Sequence, residues 1–356
     1  RIIEVVEEAL IEKAHGRVQM PAKHWMERDA DRWFGGMSSL VPKVGYAAMK
    51  WQSGSTENHS RGLPYITGML FLNSLRDGTV AAIMDSTWIT QQRTAAASAV
   101  AVKYLAKAGA QSYAMLGTGV QGYSHFEAFQ LVLPKLSDVI IYDVDPKAAK
   151  RFSDFVASKG YRPTIVKSAR EAVDATDIFV TSGPIEPDTV RTIDADWLHP
   201  GHTAVAIDYD CYFKPAALHA TDRLLTDDFG QIEHIKEYHY FVGCPQPEAE
   251  LGSVVAGLVT GRKSAAETIV VMNMGVAVED VAEIATWAAA QTDNIMLDAA
   301  GTDRLTFSAV VAGMAIALAR RPRLASLAPP PAVPLGTRTR QSPPDGVLPP
   351  AAPHSP

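Results

Sequence analysis

Tyr113-Ala114-Met115-Leu116-Gly117-Thr118-Gly119-Val120-Gln121-Gly122 is the stretch on which the fold turns. An apolar run of strand length enters a G-x-G-x-x-G turn, and a helical pattern over residues 123–133 follows. The next apolar run, residues 139–142, leads into Asp143, 26 residues after Gly117. Strand, glycine turn, helix, strand and acid, in that order, form the context in which the hexapeptide signals a dinucleotide site. Gly117 and Gly119 would let the backbone approach a pyrophosphate seated on the positive end of the helix. Asp143 would accept from both ribose hydroxyls and repel a 2′-phosphate, which favours NAD(H) over NADP(H). Lys147 and Lys150 are expected on the solvated face of the next helix.

The same rhythm continues downstream. A helix is expected over 146–159, with further short strands at 164–166, 178–181, 204–207 and 224–225. Fully apolar strands alternating with helices imply a parallel sheet covered on both faces. Its later strand ends, Thr181-Ser182-Gly183 and Asp208-Tyr209-Asp210, should line the crevice. Asp208 and Asp210, two apart on a strand, would face the same side. Upstream the pattern differs. A helix over 1–15 precedes short strands at 44–51, 66–72 and 79–84, with Asp77-Gly78 as a hairpin turn between the last two. An Ala-rich helix over 90–105 then leads into the glycine-turn region.

Composition narrows the function. The 356 residues are 47% hydrophobic and carry 33 Lys+Arg against 39 Asp+Glu, a net charge of −6. An acidic chain of this kind is not expected to bind nucleic acid or an anionic membrane. Two cysteines, Cys211 and Cys244, cannot form a disulfide framework, and no Cys/His cluster suggests a metal, so a reducing, cytoplasmic protein is expected. The start reads as an amphipathic helix and not a signal peptide, and the absence of an initiator Met suggests that the numbering begins inside a longer chain. The apolar stretch 305–319 is shorter than the roughly twenty residues of a membrane span and is expected to be a buried or interface helix. Ten of the 23 prolines fall in residues 329–356, which are expected to be a disordered tail. His234 and His239 have no metal-helix spacing, and Cys211 has no evident base.

A hydride-transfer site needs groups that hold a substrate. Lys50 lies inside Tyr46-Ala47-Ala48-Met49-Lys50-Trp51, where an inward lysine is costly without a partner. Arg93 begins a helix and suits bidentate carboxylate binding. At this point the chain resembles the ornithine cyclodeaminase/mu-crystallin superfamily over about residues 2–285. The matching stretches include Met49-Lys50-Trp51, Gly62-Leu63-Pro64, Ala82-Ile83-Met84-Asp85, Arg93-Thr94-Ala95-Ala96, Gly117-Thr118-Gly119-Val120-Gln121 and Met274-Gly275-Val276-Ala277-Val278-Glu279-Asp280.

The resemblance implies an α/β fold with a Rossmann dinucleotide-binding domain inserted in an α+β substrate-binding and dimerisation domain, and a homodimer. The boundaries expected are 1–95 for the first part of the substrate domain, 96–283 for the Rossmann domain, 284–328 for the return segment and 329–356 for the tail. It implies that Lys50 and Arg93 hold a substrate α-carboxylate. Thr94, Val120, Gln121 and Asp143 match cofactor contacts, Asp210 matches the catalytic aspartate, and Lys214 matches a lysine four residues on. Lys23 stands where the family often has Arg, and Asn273 where it has Ser. Ornithine cyclodeaminases carry a Glu at the position aligned with Gly35, followed by Met-Pro aligned with Met37-Ser38, so a substrate δ-ammonium would lose its counter-charge here. Side-chain readers are expected among Lys23, Trp51, residues 35–40 and residues 231–245.

The expected activity is therefore NAD(H)-dependent hydride exchange with the Cα of a small α-imino or α-amino acid, as an imine reductase or amino-acid dehydrogenase. Lys50 and Asp210 are the expected catalytic residues; Arg93, Thr94, Gly117, Gly119, Val120, Gln121, Asp143, Thr181, Ser182, Lys214 and Asn273 are the expected cofactor contacts. The alternatives are a cyclodeaminase converting ornithine to proline and ammonia with recycled NAD, and a non-catalytic cofactor-dependent binder of mu-crystallin type.

Overall fold

The computed structural model describes residues 1–288, apart from Ala30 and Pro187, and two short strands at Ile295–Leu297 and Arg304–Thr306. Helix α1 (Ile2–Ala14) buries Val6, Ala9 and Leu10, the three-and-four spacing of one helical face. Five antiparallel strands follow in sequence order: β1 (His24–Glu27), β2 (Trp33–Val41), β3 (Tyr46–Gly54), β4 (Ile66–Ser74) and β5 (Val80–Asp85). Gly78, at φ 75°, closes the β4–β5 hairpin as the Asp-Gly signal predicts. β1 and β2 escape the sequence pattern. β1 is a short, mostly exposed edge strand, and Gly35, Gly36, Ser38 and Ser39 interrupt the apolar alternation of β2.

Strand alternation gives this sheet two different faces. The inner face buries Met37, Ala48, Lys50, Gln52, Leu70, Leu72 and Met84. The outer face leaves Phe34, Trp51, Met69 and Phe71 exposed. Trp51 thus points away from Lys50, which corrects its expected place among the substrate readers.

Helix α2 (Thr87–Leu105) is buried along most of its length, and Ala95, Ala96, Ala97, Ala99 and Ala101 let its neighbours approach closely. The second sheet then builds through β6 (Ser112–Leu116), α3 (Val120–Val132), β7 (Asp138–Tyr142), α4 (Pro146–Ser158), β8 (Arg162–Ile165), α5 (Ala169–Asp174), β9 (Ile178–Thr181) and β10 (Thr203–Ala206). It is completed by α6 (Pro215–His219), β11 (Arg223–Thr226), α7 (Phe229–Ile235), β12 (Ala249–Glu250), α8 (Leu251–Val255) and β13 (Ile269–Met272). The strand order is β12-β11-β13-β10-β9-β6-β7-β8, with every pair parallel. β13, four fully buried residues, slips between β10 and β11, an insertion that local pattern did not announce.

Helix α9 (Ala277–Ala288) leaves this sheet and packs on α1, α2 and the inner face of β2 and β3. The return to the antiparallel sheet therefore starts at residue 277, seven residues before the expected 284. The expected boundary at 95/96 likewise falls inside α2, because the chain crosses between the sheets as helix and not as loop. Strands β14 (Ile295–Leu297) and β15 (Arg304–Thr306) pair antiparallel, so the helix expected from 305 does not begin there. The remainder of that stretch, most of the return segment and the 329–356 tail lie outside the described residues. Among the described residues no helix is long and apolar enough to cross a membrane, and no group of His, Cys, Asp and Glu could hold a metal.

Candidate functional site

After β6 the chain moves outward to β7 and β8 and then returns to β9 on the other side, which opens a crevice at the carboxyl ends of β6 and β9. Gly117 sits there at φ 94°, and a Cβ at this position would stand 2.4 Å from the Ser182 carbonyl oxygen. No other residue fits. Gly119 precedes α3 with open space where its Cβ would be, and Val120 is exposed in the first turn. A Cβ at Gly122 would make only ordinary contacts, at 3.6 Å to Phe152 and 3.7 Å to Met115, so sterics do not demand the third glycine.

Asp143 Oδ2 accepts from Thr118 N at 2.6 Å and Thr118 Oγ1 at 2.7 Å, and its Oδ1 accepts from Asp145 N at 2.8 Å. The carboxylate therefore also holds the glycine turn, with lone pairs left for further donors. Two buried acceptors, Gln121 Oε1 in the first turn of α3 and Asn273 Oδ1 just after β13, have no hydrogen-bond partner among the described residues. A shape-restricted glycine, an open helix N-terminus and unfilled acceptors suit a dinucleotide. Asn273 Nδ2 and His125 Nε2 meet at Ser98 Oγ, at 3.4 and 2.9 Å, while His125 Nδ1 lies 2.8 Å from Gln121 O. Burial lowers His125 to about 4, so this bridge from α3 through α2 to the end of β13 is neutral at pH 7.

Three predicted cations converge. Lys50, 1% exposed on the inner face of β3, lies 2.9 Å from Asp280 Oδ1 and 2.8 Å from Oδ2 and donates to Thr90 Oγ1 at 3.2 Å. Arg93, one turn after Thr90 on α2, donates from Nη1 to Glu279 Oε2 at 3.2 Å, and its Nε lies 3.3 Å from Asp280 Oδ1. Lys23 reaches in from the loop before β1, donating to the Met274 carbonyl and to Tyr209 Oη at 3.4 Å. The carboxylates sit in the first turn of α9, where the helix dipole favours them. Gly275, at φ 74°, lies against the Arg93 guanidinium and donates its N–H to Asp227 Oδ2 at 2.7 Å. Gln91 Nε2, on the same helix as Arg93, donates to Val120 O at 3.2 Å, so α2 joins the cation cluster to the glycine turn.

Burial sets the electrostatics. It draws the Lys50 ammonium down to about 8, with Arg93 adding to the effect and Asp280 opposing it. Lys23 falls to about 8 by desolvation and by Arg93. Burial pushes the Glu279 carboxyl above its ordinary range against the pull of Arg93. Arg93 stays charged: burial works against it, and Asp280 and Glu279 more than compensate.

The other predicted residues are distributed differently. Asp210 is fully buried with Arg191 Nε and Nη2 on its Oδ2 at 3.0 and 2.7 Å, while its Oδ1 has no hydrogen-bond partner among the described residues. Asp208 instead accepts from Thr181 Oγ1 at 2.6 Å and Gly183 N at 2.8 Å, and burial raises its pKa to about 7. Strand β10 ends at Ala206, and Asp208, Tyr209 (φ 59°) and Asp210 lie in the turn that follows, so strand alternation does not set which way the two acids face. Thr94 Oγ1 donates to Thr90 O at 2.7 Å. Lys214 is engaged by Asp194 at 2.6 Å. Sequence reasoning assigned no role to Glu279, Asp280, Asp227 or Arg191. Two adjacent acids inside the apolar run Val276–Ala282 were the available signal for the first pair.

The family model for the ornithine cyclodeaminase/mu-crystallin family matches residues 1–291. An alanine dehydrogenase of Archaeoglobus fulgidus is 33% identical, with 78% of this chain and 86% of that protein covered. A structure of the archaeal alanine dehydrogenase dimer with bound NAD superposes with a TM-score of 0.72 at 28% identity, covering 86% of this chain and 94% of that one. The Thermococcus litoralis Δ1-pyrroline-2-carboxylate reductase in complex with NADH and L-proline gives a TM-score of 0.71 at 29% identity, covering 81% and 92%. With its parallel-sheet crevice, glycine turn and buried cation cluster, this chain belongs to the ornithine cyclodeaminase/mu-crystallin family.

Proposed function

We propose that the chain binds NAD(H) at the glycine turn and exchanges a hydride with the Cα of a small α-imino or α-amino acid. The observation that carries this reading is the convergence of Lys23, Lys50 and Arg93, from a loop, a strand and a helix far apart in sequence, in one buried cluster. Three converging cations suit a carboxylate. Arg93 offers a planar fork, while Lys23 and Lys50 are point charges. Fixing the carboxylate fixes Cα, and positioning of this kind supplies several kcal/mol.

The dinucleotide supplies or takes the hydride. Gly117 and Gly119 admit the pyrophosphate, and Asp143 takes the ribose hydroxyls. Arg93, Thr94, Val120, Gln121, Thr181, Ser182 and Asn273 complete the proposed contacts; Lys214, held by Asp194, is left out. Asp210 stabilises positive character at Cα and exchanges a proton with nitrogen or water. Arg191 holds its Oδ2, and Oδ1, without a hydrogen-bond partner among the described residues, is the atom available for that exchange.

The cyclodeaminase alternative needs a carboxylate for the distal amine. On the inner face of β2 this chain offers Gly35, Met37 and Ser39. The exposed outer face of the sheet, with Phe34, Trp51, Met69 and Phe71, is the proposed homodimer surface. The substrate domain in this reading is α1 and β1–β5 with α9, and the parallel sheet is the insert. Free Cys211 and Cys244 fit a reducing, cytoplasmic setting.

The test is a panel of small 2-oxo acids with ammonium or amines, followed by NADH loss. Stoichiometric NADH consumption supports the reading. NADH-neutral conversion of ornithine to proline and ammonia refutes it in favour of the cyclodeaminase.

A further inference from the structure

Gln52 is a buried amide with work left undone. It is 8% exposed, and among the described residues its Oε1 has no hydrogen-bond partner while its Nε2 reaches only the Met37 thioether sulfur at 3.7 Å. Sulfur is a weak acceptor, so whichever way the amide is turned one end remains unpaired. A core position would be served better by an aliphatic side chain of similar size, because a buried unpaired amide is destabilising.

Its place on the sheet gives the reason. Gln52 follows Lys50 by two residues on β3, so both side chains rise from the inner face, roughly 7 Å apart at the backbone. Lys50 is flanked across the sheet by Met37 and Leu70, but Gln52 is flanked by Gly35 and Gly68. Neither neighbouring strand contributes a side chain to this row, and over Gly68 the Ser86 Oγ stands 2.7 Å from where a Cβ would be. Over Gly35 lies the Trp25 ring, 3.3 Å from where a Cβ would be, stacked on Trp33 with ring centroids 4.4 Å apart. An indole wall, a glycine floor and one under-bonded amide adjoin the carboxylate clamp.

We propose that Gln52 is a specificity-determining residue for a substrate whose side chain is neutral and hydrogen-bonding, a hydroxyl or a carboxamide. The proposal rests on the reading of Lys50 and Arg93 as the α-carboxylate clamp. With the carboxylate on Lys50, the substrate's β and γ atoms extend along the strand to the Gln52 row. An amide offers both a donor and an acceptor, which complements a hydroxyl or another amide. A distal ammonium finds no carboxylate on this row.

Matched pairs of 2-oxo acids test this with the full chain, NADH and ammonium. 3-Hydroxypyruvate is paired with 2-oxobutyrate, and 2-oxosuccinamate with 4-methyl-2-oxopentanoate. The hydroxyl or amide member of at least one pair should exceed its partner in kcat/KM by tenfold or more, the worth of one buried hydrogen bond. Gln52→Met and Gln52→Leu, which keep volume and remove the amide, should bring that ratio to about one or invert it. Ratios near one in the wild type, or equal ratios in wild type and both variants, overturn the role of Gln52. Thermal-shift titrations of NADH-loaded protein with the same compounds separate the layers. Equal shifts within each pair overturn Gln52 alone, whereas no shift with any 2-oxo acid overturns the clamp and this proposal with it.

Discussion

Gly275→Ala probes the clamp without altering a charged group. Gly275 sits at φ 74°, where an L side chain costs about 1–2 kcal/mol. Its new Cβ would stand 2.5 Å from Arg93 Nη1, 3.1 Å from Nη2 and 3.2 Å from Cζ. Nonbonded heavy atoms settle near 3.5 Å, so the guanidinium must retreat by roughly 1 Å or the backbone must shift by as much. Arg93 is held at its other side by Glu279 and Asp280, so retreat also disturbs both ion pairs. A displacement of about 1 Å in a positioning group costs on the order of 100-fold in rate. Steady-state kinetics with an accepted substrate should show kcat/KM down about 100-fold, together with a melting temperature lower by several degrees. NADH affinity, read by fluorescence titration, should change less than about threefold, because the glycine turn holds the pyrophosphate independently of this contact. Unchanged kcat/KM for the carboxylate substrate in a folded variant would refute Arg93 as a carboxylate holder. A loss confined to NADH affinity would leave Arg93 only its proposed cofactor contact.

Other outcomes follow from the same geometry. Lys50 and Lys23 each titrate near 8, so carboxylate binding is strong below that pH and weakens above it, and substrate KM should rise by up to about tenfold per pH unit per lysine lost. For stability the sign is opposite: between about 8 and the unfolded value of 10.5 the unfolded chain binds more protons, so unfolding free energy should rise with pH there, measurable by urea titration. Asp143→Ser should relax the preference for NADH over NADPH, and it should also lower stability by about 1 kcal/mol or more because two Thr118 donors lose their acceptor; a wild type preferring NADPH would contradict the assignment. Phe71→Asp on the outer sheet face should yield monomers in light scattering, and an unchanged dimer would move the interface elsewhere.

How far the sequence discloses this molecule depends on the range of the physics involved. The glycine turn, its flanking strands and Asp143 are legible because everything that defines them lies within 31 consecutive residues, 113–143. β1 escapes because it is short and mostly exposed, and β2 because glycines and serines fill it. Gly35 is also the β2 neighbour of Gln52, so a residue that hides the strand from pattern reading borders the candidate subsite. Tyr209 is a second case. Alternation would place Asp208 and Asp210 on one face, but β10 ends at Ala206 and both acids lie in the turn beyond it, with Tyr209 at φ 59° between them.

The clamp shows where local reasoning stops and why. An inward lysine on an apolar strand already requires a carboxylate, since an uncompensated buried ammonium would give up its proton or destabilise the fold by several kcal/mol. Lys50 therefore predicts that a partner exists, and the structure supplies Asp280, 230 residues away. No spacing rule connects the two, because the connection is made by α9 returning across the parallel sheet to the inner face of β3. The same return brings Glu279 to Arg93. Under the proposed function an incoming carboxylate would meet Lys50 and Arg93 already paired with Asp280 and Glu279, so its binding would exchange partners in a prepared site and not assemble one.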